Sequence, residues 1–297
     1  MVSLAHSAAR IHVRRLLGVL GLSLSVLAVE VVGGLASHSL ALVADAGHVF
    51  TDAAGISLAL LAIWVGSRPA STERTYGYLR LEILAAVTNA VLLFGVAAFI
   101  LYEAWRRLSA PPQVASQLML GAALVGLAIN GVSLWLLRHA QAKSLNARAA
   151  YVEVMGDVAG SAAVIVAAVV IAATGWARAD AVASVAIALL ILPRTWALLR
   201  DATDVLLEAT PKGVSMDEVR AHILDAPGVA GVHDLHAWTI TSGVNVVSAH
   251  VVLKSEADGP AALACLCDCL SGHFDIEHST FQLEFPDRRS LEGAAHG

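Results

Sequence analysis

Ser39-Leu-Ala-Leu-Val-Ala-Asp45-Ala-Gly47-His48-Val-Phe-Thr-Asp52-Ala-Ala-Gly55-Ile-Ser-Leu-Ala-Leu-Leu-Ala-Ile-Trp64-Val65 is an apolar run whose ionisable side chains all fall in its first half. As a helix it is long enough to cross a hydrocarbon core, which takes about 20 residues. Five further runs of similar character follow or precede it, so the predicted spans are 16–36, 39–65, 81–105, 116–137, 149–173 and 180–199. Beyond Pro211 the pattern changes to that of a small soluble domain. The expected organisation is therefore a cytoplasmic segment 1–15, a six-helix membrane domain 16–208 and a cytoplasmic domain 209–297 with a short tail.

Composition agrees with a bilayer. Of 297 residues 57% are hydrophobic and only 14% charged, with a mean hydropathy of +0.71. A soluble domain carries about a quarter charged residues. The formal net charge of -5 offers no basic footprint, so a nucleic-acid partner is not expected. Three cysteines crowded between 265 and 269 form no disulfide framework and point to a reducing compartment. The first run follows Arg10, Arg14 and Arg15, yet it exceeds the ~7–15 residues of a signal core and contains Glu30. It reads as a retained first helix. With both termini inside, Arg10, Arg14, Arg15, Arg68, Arg74, Arg80, Arg138, Lys143 and Arg148 flank the spans on the cytoplasmic side, against Arg106, Arg107 and Arg178 outside. That asymmetry satisfies the positive-inside rule.

Glu30, Asp45, His48, Asp52, Glu153 and Asp157 lie inside the spans, with Asn89 and Asn130 as polar companions. A carboxylate there costs roughly 2.5–3.5 kcal/mol even on the lenient insertion scale, so such residues mark pathways or pairs. Glu30 alone reads equally well as a structural group on a helix seam. The others form a pattern. His48 and Asp52 are one helical turn apart, and Glu153 and Asp157 repeat that spacing. Val49 with Val154, Asp52 with Asp157, Ala54 with Ala159 and Gly55 with Gly160 all keep one constant offset, as expected of an inverted repeat of three helices each. Such repeats place a substrate site at their interface near the midplane. Gly47, Gly55, Gly156 and Gly160 are expected to let the second and fifth helices approach closely. One imidazole and three carboxylates suit a divalent transition metal held tetrahedrally. The chain has no H-E-x-x-H and no P-loop, so neither a zinc protease nor an ATP-driven pump is indicated.

With these residues in view the chain resembles the cation diffusion facilitator family, most closely its bacterial cobalt–zinc–cadmium resistance branch. The resemblance rests on the stretch from Ser39 to Asp52, on Thr75-Tyr-Gly-Tyr-Leu-Arg80-Leu-Glu82-Ile-Leu84, on Asn146 to Asp157, and on Val232-His233-Asp-Leu-His236-Ala-Trp238. It implies six transmembrane helices, a ferredoxin-like α+β cytoplasmic domain, a homodimer in the inner membrane, and no enzymatic activity or cofactor. It also implies export of Zn²⁺, Co²⁺ or Cd²⁺ in exchange for protons, through a transport site of His48, Asp52, Glu153 and Asp157. Alternatives to that activity are a passive facilitator, an exporter of Mn²⁺ or Fe²⁺, and a membrane-anchored metal sensor. The commonest zinc pattern has histidine where this chain has Glu153; an added carboxylate hardens the site and widens its range toward Co²⁺. The family's loop site is expected to be missing, because no histidine stands near Arg74–Tyr78. Arg80 is matched with Glu208 as an ion pair, and His139 is the one histidine of the loop from Arg138 to Arg148.

In the C-terminal domain, periodicity predicts helices over 216–224 and 261–273 and strands over 232–240, 244–253 and 276–285. The resemblance makes His233, His250 and Glu284 candidates for a cytoplasmic metal site, with Gln282 standing where relatives have histidine. In a regular strand His236 faces away from His233. Cys265 and Cys269 share a helix face, and core packing is the expected fate of two of the three cysteines, with a soft metal site as the alternative.

Overall fold

The computed structural model describes residues 2–66, 68–138, 145–255, 259–276 and 278–285. His139 and the tail after 285 lie outside them. Six long helices come first: α1 (Val2–Ser37), α2 (Leu40–Gly66), α3 (Leu81–Ser109), α4 (Ser116–Leu137), α5 (Leu145–Thr174) and α6 (Arg178–Leu206). α1, α3, α5 and α6 contain their predicted spans and run past them, α4 coincides with its span, and α2 begins one residue after its own. Among the described residues α3, α4, α6 and the stretch Tyr151–Thr174 of α5 are long and apolar enough to cross a membrane, and Gly21–Ser37 is a shorter apolar segment. Helices are the form in which a lipid-embedded backbone satisfies its own N–H and C=O groups. The chain is a polytopic helical membrane protein followed by a small α+β domain.

Contacts divide the chain into two compact units, Met1–Leu61 with Ala85–Leu199, and Ala62–Leu84 with Arg200–Gly297. In the first, Leu42, Leu93, Ile100, Met119, Val164 and Ile187 belong to one buried cluster drawn from five helices. The start of α2 is fixed by a long-range cap. His38 takes a left-handed φ of 56°, reversing the chain after α1. Ser39 Oγ then accepts the Leu42 N–H (3.2 Å) and donates to Asp180 Oδ1 (2.6 Å). Asp180 in the first turn of α6 also accepts the N–H groups of Leu40 (2.7 Å) and Ala41 (3.1 Å). Three N–H groups that a helix start leaves orphaned are thereby satisfied. Arg107 Nη1 donates to the His38 carbonyl at 2.7 Å and reaches Asp180 Oδ2 at 3.5 Å.

Of the four glycines expected to bring α2 and α5 together, only Gly160 does so: a Cβ there would collide with the Asp45 carboxylate. Gly55 instead makes room for Asn89 of α3, whose Nδ2 would lie 2.8 Å from an added Cβ, and Gly47 for Val96 of α3, while Gly156 faces open space. The glycines on α2 serve the neighbour on its other side. Pro193 sits within α6; lacking an N–H, it leaves the Leu189 carbonyl without its helical donor.

In the second unit the order is α7 (Met216–Leu224), β1 (Val229–Thr241), β2 (Val244–Leu253), α8 (Gly259–Phe274) and β3 (His278–Glu284). Ser215 caps α7 by accepting the Glu218 N–H at 3.4 Å. The sheet runs β1-β2-β3, with β1 antiparallel and β3 parallel to β2, as a crossover through α8 requires. Val219, Ile223, Leu266 and Leu270 of the helices bury Val247, Ala249 and Val251 of β2. Arg80 Nη2 donates to Glu208 Oε1 at 2.7 Å, a half-exposed pair worth at most about 1 kcal/mol. Thr241 and Ser242 at the β1–β2 turn both donate to Glu82, which opens α3.

The cysteines correct the expectation. α8 buries Ala262, Leu266 and Leu270, while Cys265 is exposed and Cys267 and Cys269 are half-buried. The buried stripe advances by four residues per turn and leaves 265 and 269 about 100° to one side. Burial and the neighbouring Cys265 push the Cys269 thiol above its ordinary range.

Candidate metal centre

Three of the four residues expected to form the intramembrane site converge. His48 and Asp52, one turn apart on α2, meet Asp157 of α5, and one donor atom from each lies within 4.8 Å of the others. His48 Nε2 is 3.5 Å from Asp52 Oδ2 and 3.6 Å from Asp157 Oδ1. Those separations are too long for good hydrogen bonds. They match the edges of a tetrahedron around a cation: bonds of ~2.0–2.2 Å give donor–donor edges of ~3.3–3.6 Å. Asp52 Oδ2 and Asp157 Oδ1 are also buried without a hydrogen-bond donor facing them. Unpaired anionic oxygens in a buried place are the donor set a divalent ion takes.

Glu153 stands one turn before Asp157 and is placed differently. Its Oε2 lies 3.4 Å from Arg194 Nη2 of α6, and its carboxylate lies against that of Asp52. Both Glu153 and Arg194 line a cavity of about 320 Å³ with His48, Asp52 and Asn89. Arg194 was not singled out in the sequence, where it looks like a positive-inside arginine near the end of the last span. Asp180 is inconspicuous for a similar reason, as it is the first residue of that span, where a charge is ordinary. Glu30 and Asp45 are fully buried outside the three-residue cluster, with Ser161 Oγ 3.4 Å from Asp45 Oδ2.

On the face of the C-terminal sheet turned away from α7 and α8, His233, His250 and Glu284 also converge. His233 Nε2 is 3.0 Å from Glu284 Oε2 and His250 Nδ1 is 2.8 Å from Glu284 Oε1. Gln282, the residue in place of the relatives' histidine, donates its Nε2–H to Glu284 Oε1 at 2.6 Å. β1 is not regular here. His233 pairs with His250 but His236 with Ser248, so one residue is inserted, and Asp234 takes a φ of 48°. That bulge turns His236 to the same face as His233. It bonds Asp234 at 2.9 Å, and the Asp234 carboxylate reaches His250 at 3.9 Å.

The architecture is that of a helical membrane protein, and the buried donor cluster is its candidate cation site. The chain belongs to the cation diffusion facilitator family: the cation efflux transmembrane domain matches residues 16–207, and the cytoplasmic domain of cation efflux proteins matches residues 211–285. It is a metal efflux transporter and not an enzyme, and its metal is substrate. Similar proteins include the metal cation efflux system protein CzcD of Cupriavidus metallidurans, 46% identical over 93% of this chain and 88% of that one. The zinc transporter ZitB of Escherichia coli is 39% identical over 96% and 93%. A cadmium, cobalt and zinc/H(+)-K(+) antiporter of Bacillus velezensis is 38% identical over 86% and 83%. The metal-bound C-terminal domain of the CzcD transporter, a solved structure, aligns over 24% of this chain and 99% of its own at 41% identity and a TM-score of 0.23.

Proposed function

We propose that this protein exports Zn²⁺ and related divalent cations, Co²⁺ and Cd²⁺, from the cytoplasm in exchange for protons. It works as a homodimer in the bacterial inner membrane with both termini cytoplasmic. The ion is held by His48, Asp52 and Asp157, with Glu153 as the fourth donor once Arg194 releases it. The observation that carries this reading is the pair of tetrahedral-edge distances at His48 Nε2. Each carboxylate or imidazole that binds metal must first be free of its proton, so metal and protons compete for the same atoms. Protons entering from outside displace the ion, and metal arriving from inside displaces protons. Arg194 supplies a tethered positive charge that offsets one carboxylate while no metal is bound. Names carried by relatives, zinc transporter and cadmium, cobalt and zinc antiporter, support the ion class. In the C-terminal domain, His233, His250 and Glu284 hold a regulatory ion.

The test is flux of Zn²⁺, Co²⁺, Cd²⁺ and Mn²⁺ into proteoliposomes with and without an imposed pH gradient. Antiport gives uptake that rises with the gradient and collapses when an ionophore dissipates it. Uptake indifferent to the gradient means a passive facilitator, and metal binding without uptake means a sensor.

Glu153→His is expected to narrow the range. It replaces a hard oxygen donor by a borderline nitrogen and removes the anion that Arg194 pairs with. Co²⁺ flux should fall relative to Zn²⁺ and Cd²⁺ in the same vesicles. An unchanged ion ranking refutes the role given to Glu153.

A further inference from the structure

The half-buried face of α8 that carries Cys269 does not stand alone. In the last turn of α7, His222 reaches toward it, and His273 follows Cys269 by one turn on α8. One donor atom from each of His222, Cys269 and His273 lies within 4.8 Å of the others. The helical side of the sheet holds this cluster; the His233–His250–Glu284 cluster is on the opposite face. Nothing in the transport reading uses it.

Three features distinguish it from a chance meeting of surface side chains. First, the separations fit. Cys269 Sγ lies 3.7 Å from His273 Nδ1; a tetrahedral ion with Zn–S near ~2.3 Å and Zn–N near ~2.0–2.1 Å has an S–N edge of roughly 3.6 Å. Second, His222 is already oriented. Its Nδ1 lies 2.9 Å from the Glu218 carbonyl, which can only accept, so Nδ1 carries the proton and Nε2 keeps its lone pair. Its ring also stands edge-on to Phe274, with centroids 5.0 Å apart. Third, the donor set is chemically coherent: one thiolate and two imidazoles are ligands for Zn²⁺, Cd²⁺ or Co²⁺, whereas Mg²⁺ and Mn²⁺ prefer oxygen. His273 Nδ1 also lies 3.1 Å from the Cys269 carbonyl oxygen. Coordination through Nδ1 exchanges that bond for one to metal, the ring proton passing through solvent to Nε2.

We infer that His222, Cys269 and His273 form a soft-metal site that clips the end of α7 to the end of α8. Three protein donors leave one tetrahedral position open to water, so the site exchanges its ion. Cys265 stands one turn earlier and exposed, and is not a ligand. Binding gives a Cys269–metal bond and releases the thiol proton to solvent.

The test uses the full-length protein in detergent, titrated with Co²⁺ and read as thiolate-to-cobalt charge-transfer absorption. The expected result is a band in the wild type that is lost in Cys269→Ser and in His222→Gln. It persists in Cys265→Ser, in the double substitution of His233 and His250 by Ala, and in Asp52→Asn combined with Asp157→Asn. The last variant separates this site from the transport reading, since flux can fail while the band remains. Absence of the band in the wild type overturns the proposal, and so does a band that survives either Cys269→Ser or His222→Gln. A second measurement needs no substitution. Zn²⁺ should slow alkylation of Cys269 in the wild type while leaving Cys267 unaffected, as read on the separated peptides; equal rates for Cys269 with and without Zn²⁺ overturn the site.

Discussion

Asp157→Asn reduces metal flux in proteoliposomes to background and leaves the protein folded. The substitution keeps the shape of the side chain and removes one formal negative charge from the cluster. Loss of an outer-shell partner already costs roughly 10–100-fold in metal affinity, and a direct ligand costs more. Asp157 Oδ1 has no hydrogen-bond donor in the protein to lose. Thermal unfolding of the variant should therefore stay at or above that of the wild type, since a like charge near Asp52 has been removed. Asp52→Asn behaves in the same way, with His48 then left facing one carboxylate. Flux surviving in either variant would mean that the ion is held elsewhere. A large drop in unfolding temperature would mean that the cluster is structural.

Asp180→Ala has the largest expected effect on stability. The carboxylate is almost fully buried and accepts from Ser39 Oγ and from the N–H groups of Leu40 and Ala41, with Arg107 beside it. Its removal strands those donors and leaves the guanidinium partly uncompensated. Breaking a buried charged network of this kind costs about 3–5 kcal/mol. The readout is the midpoint of thermal unfolding in detergent. Asp180→Asn keeps one acceptor oxygen and should fall between Ala and wild type. The same cap fixes where α2 begins, two turns before His48, so Asp180→Ala also lowers flux. An unfolding midpoint equal to wild type would show that the cap is dispensable.

What the sequence disclosed and what it hid follow from physical range. Each span announced itself because a helix in lipid needs an unbroken apolar run; five of the six long helices cover their predicted spans and α2 starts one residue late. The order αββαβ was legible from alternation and from turn residues such as Ser242 and Gly243. The ligand pairs on α2 and α5 were legible because a helix puts i and i+4 on one face. Long-range partners were not. Nothing local tells that Asp180 caps a helix 140 positions earlier or that Arg194 meets Glu153. Neither does alternation reveal a bulge, so the regular-strand placement of His236 away from His233 does not hold. Core packing of two of the three cysteines is what their residue type suggests, although the stripe of Ala262, Leu266 and Leu270 already fills the buried face.

Pro193 gives the walls of the ion cavity unequal stiffness. His48 and Asp52 stand on a helix whose backbone is hydrogen-bonded throughout the turns that carry them. Arg194, Thr195 and Leu198 line the opposite wall just after Pro193. Bending an intact helix breaks a hydrogen bond at the bend. In α6 the bond to Leu189 is missing from the outset, so tilting there has one hydrogen bond fewer to break. The wall that bends at lower cost is therefore the one carrying, immediately after Pro193, the arginine that holds Glu153.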